Sequence, residues 1–247
     1  IRGFTALAES MTPQKSFDFV NTYLRNMSPE IRRHHGFVVK FLGDGLMAVF
    51  PDSADDAMEA GLAKCRKLRE LNHQRELTID QAIAIGIGIH FGPIMVGTIG
   101  DHNRLQADVL SACVNLCARL EGLTKVYQVP MLLSEQTKQH LQNPERYEMR
   151  LLDRVIVKGS TKAIAIYEAL DAESSSVRAL KLETRDLFGR AVTYYQQGQF
   201  DQARQTFDEV LKVNPLDQTV HLYLDRLNTL GQRPPGNWTG VWTFTEK

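Results

Sequence analysis

Hydrophobic periodicity changes once along this chain of 247 residues, near residue 170. Before that point, stretches with helical spacing alternate with short strand-like stretches, which is typical of α+β domains. After it, apolar residues recur at helical spacing. We therefore predict a first domain at 1–171, a linker running into a helix at 172–184, a helical segment at 185–232 and an extended tail at 233–247.

The first region carries a strong hairpin signal. An Asp-Gly pair favours a tight turn, so residues 36–50 predict two strands joined through Gly43-Asp44-Gly45. Further strands are predicted at 82–90, 94–99, 129–133, 151–157 and 163–169, and helices at 10–26, 54–76, 112–123 and 135–141. Neither a GxGxxG nor a P-loop sequence is present, which argues against Rossmann and Walker-type sites.

The second region has the spacing of a helix pair. Its small and aromatic positions are Ala191, Tyr194, Gly198, Phe200, Ala203, Phe207, Val210 and Pro215. This pattern resembles one tetratricopeptide repeat. A single repeat cannot bury its own apolar face, so we expect it to pack on the first domain or on a partner.

Charge and composition restrict the class of protein. Lys plus Arg and Asp plus Glu are both 29, so no global field recruits nucleic acid or an anionic membrane. Apolar stretches are too short to span a bilayer, and three cysteines form no paired framework. We expect a cytoplasmic fragment without nucleic-acid or membrane contact. Because it begins at Ile1 without Met, we also expect an upstream regulatory or sensor domain in the intact protein.

Four motifs follow one another in the first region. They are Ile-Arg-Gly-Phe-Thr at 1–5, Lys-Phe-Leu-Gly-Asp at 40–44, a glycine-rich pair at 86–92 and 97–100, and Val-Asn-Leu-Cys-Ala-Arg-Leu at 114–120. Their ordered co-occurrence resembles the catalytic domain of class III nucleotidyl cyclases. The resemblance implies a ferredoxin-like fold, with a central, mostly antiparallel sheet and flanking helices. The glycines of the third motif are expected to serve close packing, and His90 to have a satisfied partner.

The resemblance implies a metal site. It places one metal carboxylate at Asp44 and another just before Ile1, and it offers the Ile1 carbonyl as a further ligand. Two ions, Mg²⁺ or Mn²⁺, are expected, because hard cations take oxygen ligands shared between carboxylates and phosphates. Backbone N–H groups near Phe4 and Thr5 would contact the phosphates. From the turn alone, an ordinary tight turn, with Asp chosen for its backbone compatibility, is the favoured interpretation of Asp44.

The remaining site residues also follow from the resemblance. Asn115 and Arg119 are four apart and emerge from one face of a helix. In this family the Asn orients the ribose and the Arg stabilises charge on the α-phosphate. Lys158 matches a lysine that contacts the β- and γ-phosphates, and Arg104 is a further phosphate candidate.

Two positions bear on the choice of base. Lys40 and Asp108 match the residues with which adenylate cyclases of this family read adenine, where guanylate cyclases place Glu and usually Cys. The expected activity is adenylate cyclase, forming 3′,5′-cyclic AMP and pyrophosphate from ATP at the interface of a homodimer. The alternatives are a guanylate cyclase of the same fold, or an inactive cyclase-like module for dimerisation or nucleotide sensing.

Overall fold

The computed structural model describes residues 1–76, 82–101 and 105–244. Its α-helices are α1 (Phe4–Glu9), α2 (Pro13–Arg33), α3 (Ala54–Glu76), α4 (Ala112–Tyr127), α5 (Glu135–Gln139), α6 (Ser175–Glu183), α7 (Arg185–Gln196), α8 (Phe200–Val213) and α9 (Gln218–Leu230). Its strands are β1 (Phe37–Leu42), β2 (Gly45–Val49), β3 (Ile87–Ile89), β4 (Met95–Gly100), β5 (Leu105–Leu110), β6 (Met131–Ser134), β7 (Met149–Ile156), β8 (Ile164–Ala169) and β9 (Trp242–Thr243). Helix α3 has its predicted bounds, whereas α2 continues to Arg33.

Five strands form the central sheet, in the order β3-β6-β8-β7-β9. The pairs β6–β8 and β8–β7 are antiparallel, and the edge pairs β3–β6 and β7–β9 are parallel. With helices flanking this mixed sheet, the predicted α+β class is confirmed. Strand β3 is shorter than predicted, and the residues just before it bind Arg2, whose backbone N–H donates to the carbonyl of Ala84 and whose side chain donates to that of Ile85.

Two hairpins stand apart from the central sheet. The predicted one is β1–β2, and it contains a register shift between Val38 and Lys40. The other is β4–β5, in which Gly97 faces Asp108 across the ladder. The sequence pattern predicted β4 but missed β5. Both hairpins expose large apolar side chains, including Phe41, Leu42, Met95, Val96 and Leu110.

Glycines allow helix α4 to lie directly on strand β3. A Cβ atom built at Gly88 would be 2.4 Å from the backbone nitrogen of Glu121 and 2.6 Å from the carbonyl oxygen of Cys117. At Gly86, a Cβ atom would be 2.2 Å from Oγ1 of Thr124. These approaches are closer than any side chain allows, so the expectation that the glycines serve packing is confirmed for Gly86 and Gly88, whereas a Cβ atom at Gly97 would meet nothing within 4 Å.

The helical segment packs on the first domain of the same chain. Aromatic residues of α7–α9, namely Phe188, Tyr195, Phe207 and Tyr223, share one core with Leu120, Tyr127, Leu152 and Val155. Buried charges also cross the boundary, because Arg150 of β7 donates to both oxygens of Asp217 and to Glu168. The neighbour expected for the repeat is therefore the first domain itself.

Chain residues 238–244, predicted as part of an extended tail, are integrated into the fold. Trp238 donates from Nε1 to the carbonyls of Tyr195 and Gln196, each at 3.2 Å. The chain then adds β9 to the open edge of β7. The last described residues of the tail include β9, which forms an edge of the central sheet.

Candidate active site

Lys40 and Asp108 meet between the two hairpins. The Lys40 ammonium lies 2.7 Å from both carboxylate oxygens of Asp108, although the two residues are 68 positions apart. The pKa of Asp108 is held below its usual range by this hydrogen bond, by a second one from the Val109 N–H and by the charge of Lys40. Both side chains keep about a quarter of their surface exposed, at 28% and 23%. The pair therefore remains open to a ligand.

Asp44 lies in the turn of the β1–β2 hairpin, beside the start of the chain. The backbone nitrogen of Ile1 is 2.6 Å from Oδ2 of Asp44. Within the described parts of the chain, no cluster of three or more His, Cys, Asp or Glu side chains could hold a metal ion. Asp44 therefore offers one carboxylate, which fits Mg²⁺ or Mn²⁺ shared with a substrate, because Mg²⁺ commonly takes one or two protein carboxylates together with phosphates and water.

Helix α4 presents Asn115 and Arg119. It begins after Ser111, whose hydroxyl caps the helix by accepting from the N–H of Cys113 at 3.0 Å and donates to the carbonyl of Pro93 at 2.7 Å. Asn115 is exposed and Arg119 half-buried. This cap fixes the start of helix α4.

Arg119 lies over the turn that follows β7. A Cβ atom at Gly159 would be 3.2 Å from Nη2 of Arg119, and Gly159 has φ of +70°. The turn is closed by a hydrogen bond from the N–H of Ser160 to the carbonyl of Val157 at 2.9 Å. Lys158, within this turn, is exposed. The guanidinium of Arg119 and the phosphate candidate Lys158 are therefore close neighbours in space.

The other predicted positions are less closely associated. Phe4 is half-buried and stacks on Phe19, with ring centroids 6.2 Å apart, while Thr5 is exposed on α1. Arg104 lies outside the described residues. Among the described residues, no hydrogen bond or ion pair joins the Lys40–Asp108 pair, the Ile1–Asp44 pair and the Arg119 turn to one another. Each chain thus presents three separate groups of candidate residues.

Sequence reasoning missed Glu121 on α4. Its pKa is raised by burial, an effect opposed by Arg2 and reinforced by Asp44. Glu121 is therefore an acid in the neighbourhood of the candidate metal residue. The available signal was its position one residue after the 114–120 motif.

The expectation for His90 is confirmed, since its Nδ1 lies 2.8 Å from the hydroxyl of Ser134.

Relatives in known protein families match both regions. Residues 1–169 match the adenylate and guanylate cyclase catalytic domain, and residues 184–217 match a tetratricopeptide repeat. An adenylate cyclase of Anabaena cylindrica is 38% identical over 174 residues, which cover 68% of this chain and 35% of that protein. The terminal-differentiation specific adenylate cyclase of Dictyostelium discoideum is 32% identical over 230 residues, covering 92% and 11%. The chain thus spans about a third of the first relative's length and about a tenth of the second's.

Solved structures give the same fold. The adenylyl cyclase CyaB from P. aeruginosa aligns with a TM-score of 0.60 and 28% identity, over 68% of this chain and 88% of that one. The guanylyl cyclase Cya2 aligns with a TM-score of 0.57 and 29% identity, over 69% and 87%. Within the described residues, no helix has the length and apolar character needed to cross a membrane. The matched family model, the motif order and the fold agree, and the chain belongs to the class III adenylate and guanylate cyclase catalytic domain family and carries a tetratricopeptide repeat after that domain.

Proposed function

We propose that the chain is the catalytic part of an adenylate cyclase, which converts ATP to 3′,5′-cyclic AMP and pyrophosphate. The observation that carries this proposal is the Lys40–Asp108 pair. Two adenylate cyclases among the relatives are in keeping with it. Since relatives of this fold also include a guanylyl cyclase, the choice of base rests on the site residues.

The chemistry of the pair matches the edge of adenine. The Lys40 ammonium is a donor that can bond a ring nitrogen, and the Asp108 carboxylate accepts from the exocyclic amine. Guanine presents an oxygen and a ring N–H on that edge, so both contacts would be mismatched. A base that enters must replace the bond between Lys40 and Asp108, and only adenine satisfies both groups afterwards. Sites that recognise a substrate by hydrogen bonds to its polar groups can discriminate by about 10⁴-fold.

Asp44 is the metal ligand in this proposal, together with the Ile1 carbonyl and an acid expected just before Ile1. Two bound Mg²⁺ or Mn²⁺ ions would lower the pKa of the 3′-hydroxyl and neutralise the triphosphate. The carboxylate of Asp44 would hold these ions beside the nucleotide. Backbone N–H groups near Phe4 and Thr5 then orient the phosphates at the start of α1.

Helix α4 and the turn after β7 supply the groups for the phosphoryl step. Asn115 orients the ribose so that its 3′-oxygen faces the α-phosphorus. Arg119, with a planar guanidinium, donates to the oxygens of the α-phosphate as their charge increases. Loss of one such donor typically costs about 10²- to 10³-fold in kcat. Lys158 holds the departing pyrophosphate, and Arg104 is a further phosphate candidate.

The active form in this proposal is a homodimer. Asp44 belongs to the site completed by Lys40, Asp108, Asn115 and Arg119 of the second copy, as the resemblance to class III cyclases implies. The exposed apolar side chains of the hairpins, up to 70% exposed at Met95, form a patch next to the Lys40–Asp108 pair. Contiguous apolar patches of this kind mark interfaces. A second copy would cover the patch and complete the site.

The test is nucleotide selectivity of the full-length protein with Mg²⁺ or Mn²⁺. We expect cyclic AMP from ATP, and little product from GTP. The double variant Lys40→Glu, Asp108→Cys should lose ATP turnover by at least about 10²-fold, in line with the loss of buried hydrogen bonds. Lys158→Ala is the matched control, because it weakens both nucleotides alike without changing the preferred base.

Two outcomes would contradict the proposal. Equal turnover of ATP and GTP by the native protein would refute the role of the Lys40–Asp108 pair. No turnover of either nucleotide, although the residue before Ile1 is Asp or Glu and dimers form, would favour the inactive dimerisation or nucleotide-sensing module.

A further inference from the structure

The turn under Arg119 is held from one side by the C-terminal tail. Strand β8 pairs with β7 only as far as Val155, whereas β9 pairs with Val155 and Ile156. The backbone N–H of Phe244 then donates to the carbonyl of Ile156 at 2.9 Å. The tail bond is therefore the last inter-strand contact before the turn at 157–160.

An arginine of the repeat fixes this edge strand. The guanidinium carbon of Arg226, on α9, lies 4.5 Å from the ring centroid of Trp242 and 5.7 Å from that of Phe244. Cations over aromatic faces at such distances are attracted by the ring quadrupole. The Phe244 ring also packs edge-on against Tyr127, with centroids 6.3 Å apart.

The same arginine binds the two elements that carry Arg119 and its turn. Arg226 donates from Nη1 to Asp153 of β7 at 2.6 Å and from Nη2 to the hydroxyl of Tyr127 at 3.0 Å. Tyr127, the last residue of α4, donates to Asp153 at 2.6 Å. Arg226 and Asp153 are almost fully buried, at 4% and 0% exposure. One buried cluster therefore joins α4, β7 and β9.

We propose that Phe244 and Trp242 are positioning residues for Arg119, acting through the turn at 157–160. The edge strand sets the position of this turn relative to the sheet. The Arg226 cluster fixes the position of the end of α4, which lies about two helical turns after Arg119. Gly159 faces the guanidinium without a side chain between them, so a shift of the turn moves the surface on which Arg119 rests. This inference rests on the proposed function, because it assumes that Arg119 acts on the nucleotide.

Two substitutions at Phe244 separate its ring from its backbone bond. Phe244→Ala removes the ring and keeps the N–H that donates to Ile156, whereas Phe244→Pro removes both. We expect kcat per folded dimer to fall about threefold for Phe244→Ala and at least about tenfold for Phe244→Pro, since displacement by 1 Å can cost about 10²-fold. Val210→Ala, which opens a cavity in the repeat core, is the control for lost stability, and its kcat per folded dimer should stay unchanged.

The decisive readout is coupling with Arg119 in the full-length protein. If Phe244 acts through Arg119, Phe244→Pro should lower kcat by less than about twofold in the Arg119→Ala background, because residues that act as a unit are not additive. A merely structural role predicts the same factor in both backgrounds. Should Phe244→Pro not fold, Phe244→Ala carries the same comparison, with its threefold effect disappearing.

The outcomes distinguish this inference from the proposed function. If the native protein makes no cyclic AMP, or Arg119→Ala retains its kcat, the proposed function is wrong. If the native protein and Arg119→Ala behave as proposed, but the Phe244 variants match Val210→Ala or are additive with Arg119→Ala, the positioning role is wrong.

Discussion

Asp217 joins the helical repeat to the central sheet, and its replacement by Ala tests how much stability passes through that contact. Both its oxygens accept from Arg150, at 2.6 and 3.0 Å, and its Oδ1 also accepts from the N–H of Thr219 at the start of α9. Asp217 is 1% exposed and Arg150 3% exposed. Water therefore cannot replace the lost carboxylate.

The magnitude follows from two contributions. Removing one partner of a buried ion pair costs about 3–5 kcal/mol, because the remaining donors stay buried. Loss of the helix cap adds about 1 kcal/mol. Asp217→Ala should therefore lower the free energy of unfolding by about 4–6 kcal/mol, a large part of the 5–15 kcal/mol typical of a domain. Asp217→Asn should cost about 1 kcal/mol less, since the amide oxygen can still cap α9.

The assay is urea unfolding followed by circular dichroism and by tryptophan fluorescence. The fluorescence reports on the tail, because Trp238 packs on Tyr195 and Trp242 on Arg226. Asp201→Ala is the matched control: Asp201 is an Asp in the first turn of α8, close to a helix start as Asp217 is, but it is exposed. If Asp217→Ala lowers the free energy of unfolding by less than about 1.5 kcal/mol, or by the same amount as Asp201→Ala, the buried pair does not stabilise the junction.

Three further predictions concern the site and its support. Asp44→Ala and Arg119→Ala chains should each be inactive alone but recover cyclase activity when mixed, because up to about half of randomly exchanged dimers carry one intact site; no recovery in proven mixed dimers would place these residues in one chain's site. Gly88→Ala should lower the free energy of unfolding by about 1–3 kcal/mol through overpacking and should also lower activity by displacing α4. In the same thermal unfolding assay, Gly122→Ala, with no atom within 4 Å of its new Cβ, should raise that free energy by about 0.5–1 kcal/mol. Burial lowers the pKa of His90 below its usual range, so the unfolded chain binds the proton first and stability should fall as the pH drops through about 6.5; His90→Gln should flatten that slope, and an unchanged slope would contradict the assignment.

The sequence by itself determined the class of fold, the order of the motifs and the presence of the repeat. Period and turn signals gave α3 with its observed bounds and the hairpin around Gly43-Asp44-Gly45, because local preferences decide such elements. The strand β5 was missed, since its stability comes from pairing with β4 and not from its own pattern. The glycines at 86 and 88 were assigned correctly to packing, although their neighbour on α4 was not predicted.

Only the tertiary structure decided which distant residues meet. The Lys40–Asp108 bond spans 68 positions and depends on a register shift in β1 and on the pairing of β5, neither of which has a local sequence signal. The tail shows the same limit. Its sequence predicted an extended segment that needs a surface, but not which surface. The tail pairs with the edge of β7 through backbone groups, which every sequence has, and its position there also depends on the buried Arg226. Local patterns specify elements, whereas long-range hydrogen bonds and close packing specify where those elements meet.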